Sequence, residues 1–150
     1  MPKFPVNFVR LVLLAIMLVL TLPVIGLKAQ TEGVDTDTLA SRSVVEDQLN
    51  AFKERDLDRA YSHAAPGIRS MFPSVEQFSS MVERGYTAIY SHKSYVFGRN
   101  RQESGNIVHE VIITDEAGRQ WQAVYSLKRQ EDGNWRINGV KLNPYKGGSA

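Results

Sequence analysis

The sequence predicts an α+β fold, with three N-terminal helices packed on a curved, cone-like, four-stranded antiparallel meander. The first observation is a repeated punctuation in the second half of the chain. Glu103-Ser104-Gly105, Glu116-Ala117-Gly118 and Glu131-Asp132-Gly133 each separate runs in which apolar residues alternate with polar ones. A three-residue hairpin loop ends in a left-handed conformation, where glycine has no Cβ to clash. Three such loops, 13 and 15 residues apart, therefore join four consecutive strands. The second observation is that apolar residues upstream recur at helical rather than strand spacing, so helices and strands are segregated along the chain.

Each helix has its own signals. Val45, Leu49 and Phe52 fall at i, i+4 and i+7 and form one stripe. Ser43 and Glu46 have capping-box spacing at its start, with Asp37 as an earlier alternative. A second helix is expected over Leu57–Ala64, capped by Asp56. Pro66-Gly67 reads as a break, with Ile68, Met71 and Phe72 as apolar plugs in an irregular turn. Ser74 and Gln77 open a third helix, which buries Phe78, Met81 and Val82 and stops at Gly85.

The loops also set a strand register. Pairing Gln102 with Asn106 places Arg99 opposite His109, Phe97 opposite Val111 and Tyr95 opposite Ile113. Pairing Asp115 with Arg119 sets Ile113 against Trp121, Val111 against Ala123, His109 against Tyr125 and Ile107 against Leu127. Pairing Gln130 with Asn134 sets Leu127 against Ile137 and Arg129 against Trp135. Directly paired residues share a face, so one apolar face collects these side chains. A slip of one residue would destroy it. Gly139 marks a bulge after which Val140 and Leu142 resume inward packing.

The ends of the chain bear on compartment. Lys3, Arg10 and Lys28 are the only charges in residues 1–29, and Leu11–Leu27 is an uncharged run. A basic start followed by an apolar run reads as a signal peptide or an N-terminal membrane anchor, with Pro23 and Gly26 weakening a continuous span. Either way the remainder is expected to be exported, periplasmic or held at the inner membrane facing the periplasm. Residues 30–38 read as a flexible linker, 39–145 as one domain and 146–150 as a disordered tail. Without residues 1–29 the chain has fifteen basic against sixteen acidic residues, which gives no nucleic-acid footprint. Cysteine is absent, so no disulfide or thiolate chemistry is available.

Arg99, His109 and Tyr125, with Tyr95 nearby, are the polar residues expected on the apolar face. A cation, an imidazole and phenols beside a cavity suit the binding of a carboxylate, or the polarisation of a carbonyl during proton transfer. No nucleophile or acid accompanies them by sequence. His63, His92 and His109 lack ligand spacing, so no metal is expected and no cofactor is implied.

Ala64-Ala65-Pro66-Gly67-Ile68-Arg69, then Phe78 to Tyr86, then Gly133-Asn134-Trp135-Arg136-Ile137 resemble an exported bacterial family of domain of unknown function 4864. The order of elements also resembles the wider cystatin-like, nuclear-transport-factor-2-like cone superfamily. That superfamily implies the fold but spans isomerases, dehydratases, ligand binders and dimerisation modules. Its best-known enzymes place an aspartate base in the cone, whereas the inner face expected here has no acid and Asp115 sits at a turn.

The leading expectation is a noncatalytic envelope module that binds a small apolar or carboxylate ligand, or a partner, through Arg99, His109, Tyr125 and Tyr95. The alternatives are a cofactor-free isomerase or dehydratase with His109 as general base, and a structural protein that self-associates, as a homodimer for example, through the outer sheet face.

Overall fold

The computed structural model describes residues 35–147. The expected signal or anchor and most of the expected linker lie outside them. Five helical segments precede the sheet: α1 (Thr36–Glu54), α2 (Leu57–Ser62), α3 (Pro66–Met71), α4 (Val75–Gly85) and α5 (Thr87–Tyr90). Four strands follow, β1 (His92–Glu103), β2 (Asn106–Asp115), β3 (Gln120–Arg129) and β4 (Trp135–Pro144), in the spatial order β1-β2-β3-β4. The fold is α+β with an open antiparallel meander.

The helix ends follow from their caps. Asp35 accepts from Asp37 N–H at 3.2 Å and from the Thr38 hydroxyl at 2.8 Å, so α1 begins at Thr36 rather than at the Ser43 capping box. The last residues assigned to the linker are thus helical. Asp56 accepts from Arg59 N–H and Ser74 from Gln77 N–H, as expected. Where three helices were expected, the described residues form five helical segments. The Pro66-Gly67 break is in fact the first turn of α3, because proline at the first helical position gives up only an N–H that would be unsatisfied anyway.

The β2–β3 ladder has the expected register without interruption, from Asn106 against Lys128 to Thr114 against Gln120. The two loops at Glu116 and Glu131 are three-residue loops, closed by Asp115 with Arg119 and by Gln130 with Asn134. The first hairpin differs. Glu103 pairs with Asn106, leaving a two-residue loop in which Ser104 and Gly105 have φ of 50° and 78°. Two positive values in a row are the twist-compatible hairpin turn. A bulge then restores the register: Gly98 and Arg99 together oppose Glu110, so Asn100 faces His109 while Phe97 still faces Val111. A Cβ on Gly98 would lie 3.2 Å from Glu110 Oε2, so a larger residue would crowd that carboxylate.

A further irregularity in β1 leaves Lys93 unpaired between His92 and Ser94, and a bulge in β4 leaves Asn138 unpaired between Ile137 and Gly139, after which Val140 faces Tyr125 and Leu142 faces Ala123. The bulge expected at Gly139 is therefore present. The inner face buries Ile107, Val111, Ile113, Ala123, Tyr125, Leu127 and Ile137 against Val45, Leu49 and Phe52 of α1. Each such valine, leucine, isoleucine or phenylalanine contributes about 1.5–3 kcal/mol by leaving water. Phe52 also lies 6.2 Å from Phe78 and 5.8 Å from Tyr90 between ring centres, which brings α4 and α5 onto the same core. The chain between α2 and α3 is stitched to β4 by Ile137 N–H on the His63 carbonyl and Ala65 N–H on the Ile137 carbonyl, both 2.8 Å.

Replacing Asp35 with alanine removes the α1 cap. The expected loss is about 1 kcal/mol, read as a lower urea midpoint at unchanged slope.

Candidate functional site

The four residues expected to form one polar site do not converge. Arg99 is the clearest correction. Its side chain is 96% exposed, with Nε 3.8 Å from Glu110 Oε2, because the bulge at Gly98-Arg99 rotates it off the inner face. Glu110 also accepts from Gln122 at 2.6 Å. Tyr95 is half-buried and donates to Asn50 Oδ1 at 3.2 Å.

His109 is buried, with Nε2 2.8 Å from Ser41 Oγ. Ser41 in turn lies 3.1 Å from the Thr38 carbonyl. A carbonyl can only accept, so the single hydroxyl proton goes to Thr38, and His109 donates its Nε2–H to Ser41. Burial pushes the His109 pKa down, and the nearby Arg42 guanidinium adds to this. Arg42 itself lies 4.2 Å from the centre of the Phe97 ring, whose edge-on partner is His109. Serine and histidine together suggest nucleophilic chemistry, but Ser41 is wholly buried and its proton points away from the imidazole. The pair holds α1 on β2.

Tyr125 is opposite His109 in register, yet no hydrogen bond joins them. Its hydroxyl is buried without a partner among the described residues, and burial pushes its pKa well above the ordinary phenol range.

Tyr125 does, however, contribute to a cavity of about 400 Å³ between the helices and the sheet. Gln48 and Phe52 enter from α1, Ile68, Met71 and Phe72 from the end of α3, and Met81 and Val82 from α4. Tyr86, Ile89 and the Asn138–Val140 bulge complete the wall. Among the described residues no charged side chain lines it. Tyr86 donates to the Val140 carbonyl at 3.3 Å, fixing one side. Met71, 66% exposed, marks the rim. Arg69 holds α3 from outside the cavity, donating to the carbonyls of Ala64, Tyr61 and Ser62 and lying 4.9 Å from the centre of the Tyr61 ring.

The buried acid Asp115 lies beside a separate cleft. It accepts from Trp121 Nε1, Arg119 N–H and Arg119 Nε, each at 2.9 Å. The Trp121 bond above all, with those of Arg119, holds its pKa below the ordinary carboxylate value against the cost of burial. With both oxygens engaged it braces the β2–β3 loop. Among the described residues no group of His, Asp and Glu has the arrangement to hold a metal ion.

Ser41 and Gln48 were missed by sequence reading. Both fall on the helical stripe of Val45, Leu49 and Phe52, and a polar residue on an apolar stripe was the available signal.

Residues 34–150 match the family described as Domain of unknown function (DUF4864). The chain belongs to that family. No curated protein and no solved structure matches the chain. Two of the three segments that carried the DUF4864 resemblance meet at the cavity. Ile68 follows Pro66-Gly67 into its wall, Arg69 secures that turn, and Met81, Val82 and Tyr86 come from the Phe78–Tyr86 segment.

Two predictions follow from the buried groups. His92 and His109 both have pKa values pushed below 6.5, in each case mainly by burial. Unfolding lets them take up protons, so their neutral burial stabilises the fold fully above about pH 6.5 and progressively less as pH falls through that value toward the folded-state pKa. The melting temperature is expected to fall on acidification below about pH 6.5, and His109→Gln is expected to flatten part of that fall. Tyr125→Phe removes a buried hydroxyl that has no partner here. Chemical denaturation is expected to show unchanged or higher stability, by up to about 1–3 kcal/mol.

Proposed function

We propose that this domain is a noncatalytic, exported module that binds a small, uncharged, largely apolar molecule in the cavity beneath α3 and α4. The observation that carries the reading is the wall itself: a concavity of about 400 Å³ lined mainly by aliphatic, thioether and aromatic side chains, with no charge among the described residues that form it. Ligand sites are typically concave, about 300–1,000 Å³, and mostly apolar with a few polar groups. Helices over one face of a sheet bent by bulges in β1 and β4 support the cone-like reading. The basic start and uncharged run of residues 1–29 support export to the cell envelope.

The geometry gives less support to the alternatives expected from sequence. A carboxylate ligand needs a cation, and Arg99 points outward. An isomerase or dehydratase needs a base within reach of substrate, and His109 spends its Nε2–H on a serine closed to solvent.

Native mass spectrometry of the chain, purified from its own envelope under mild conditions, tests the reading. The expected spectrum carries an extra small mass that leaves on activation, and Ile68→Trp, which fills the cavity from α3, is expected to abolish it. Bare protein in both spectra, with no binding of the neutral dye Nile red, would overturn the proposal.

A further inference from the structure

Apart from Asn138, which is exposed to solvent, two polar groups in the cavity wall have unused hydrogen-bonding capacity, and together they specify a ligand class. Gln48 is only 4% exposed, and its amide nitrogen donates to the Ala60 carbonyl at 3.0 Å. Because that carbonyl can only accept, the bond fixes which end of the amide is nitrogen and leaves the oxygen as the free end. Among the described residues no donor reaches that oxygen. Tyr125 is wholly buried in the same wall, and its hydroxyl likewise has no partner. Burial keeps that hydroxyl protonated, so it is a donor. The wall therefore offers one acceptor and one donor among apolar groups. A charge entering it would lose its hydration without meeting a counter-ion.

Resting on the binding reading above, we infer that the ligand is uncharged and carries one group that both donates and accepts, an alcohol or a primary carboxamide on an apolar body. Gln48 accepts its proton and Tyr125 donates to its oxygen. The Tyr125 hydroxyl is closed to a water-sized sphere, so the ligand meets it as wall side chains give way. The unbranched, flexible Met71 and Met81 suit that adjustment. Gln48 and Tyr125 are specificity residues: a site built to hydrogen-bond a hydroxyl discriminates against the analogue without one, because its own polar groups are then left unpaired.

Three probes of one shape test this by isothermal titration on the full chain: cyclohexylmethanol, methylcyclohexane and cyclohexanecarboxylate at about pH 7.5. The alcohol is expected to bind about ten-fold or more tightly than the hydrocarbon, and the carboxylate not measurably. Tyr125→Phe is expected to remove most of that ten-fold preference while leaving hydrocarbon affinity within about two-fold. Gln48→Met is expected to do the same, but it also cuts the bond to Ala60, so Tyr125→Phe carries the test. Equal affinity for alcohol and hydrocarbon, or an unchanged preference in Tyr125→Phe, would overturn the inference while leaving the binding reading intact, whereas tightest binding of the carboxylate would overturn both. Failure of all three probes, the hydrocarbon included, would instead overturn the binding reading and the inference with it.

Discussion

The uninterrupted pairing of β2 with β3 is the reference to which the other elements are set. Nine consecutive pairs run without a bulge, from Asn106 against Lys128 to Thr114 against Gln120. Since side chains alternate strictly along a strand, this ladder alone decides that Ile107, His109, Val111, Ile113, Ala123, Tyr125 and Leu127 share a face. Both outer strands depart from regular pairing, and they do so against a fixed centre. The bulge at Gly98-Arg99 turns one side chain outward, and the one at Asn138 carries β4 into the cavity wall.

The centre of the sheet was legible because its signals are local and redundant. The loops at Glu116 and Glu131, the alternation on either side of them and the need to bury one face all require the same register. β1 was harder to read. Its hairpin loop is one residue shorter than the glycine spacing suggested, and an unforeseen bulge adds one residue to the strand, so the two offset each other between Phe97 and Val111 but not at Arg99. The apolar part of the face was thus right and its arginine wrong. Nothing in the run Phe97-Gly98-Arg99-Asn100 separates these outcomes, since the contact that favours glycine there comes from Glu110 across the ladder.

The candidate site was less legible still, because it depends on contacts between elements rather than within them. Ser41 and Gln48 are polar residues on the buried stripe of α1, and their roles follow from partners 68 and 12 residues away. His109 was found for the right reason, an imidazole on an apolar face, yet its partner comes from α1 rather than from β1 or β3. The Pro66-Gly67 pair was misread because proline both breaks helices and begins them, and only the following turn decides which.

How α3 is attached gives the domain two levels of cohesion. The helix contributes no buried residue of its own, and the guanidinium of Arg69, bonded to three carbonyls at the end of α2, is a large part of what retains it. Hydrogen bonds of that kind are worth about 0.5–1.5 kcal/mol net apiece, so local detachment costs a few kcal/mol, less than the roughly 5–15 kcal/mol that hold a whole domain together. Loosening of this short segment therefore costs less than unfolding the sheet and α1. The rim of the cavity at Ile68 and Met71 thus rides on the least cohesive part of the domain, whereas its floor at Phe52 and Tyr125 belongs to the core itself.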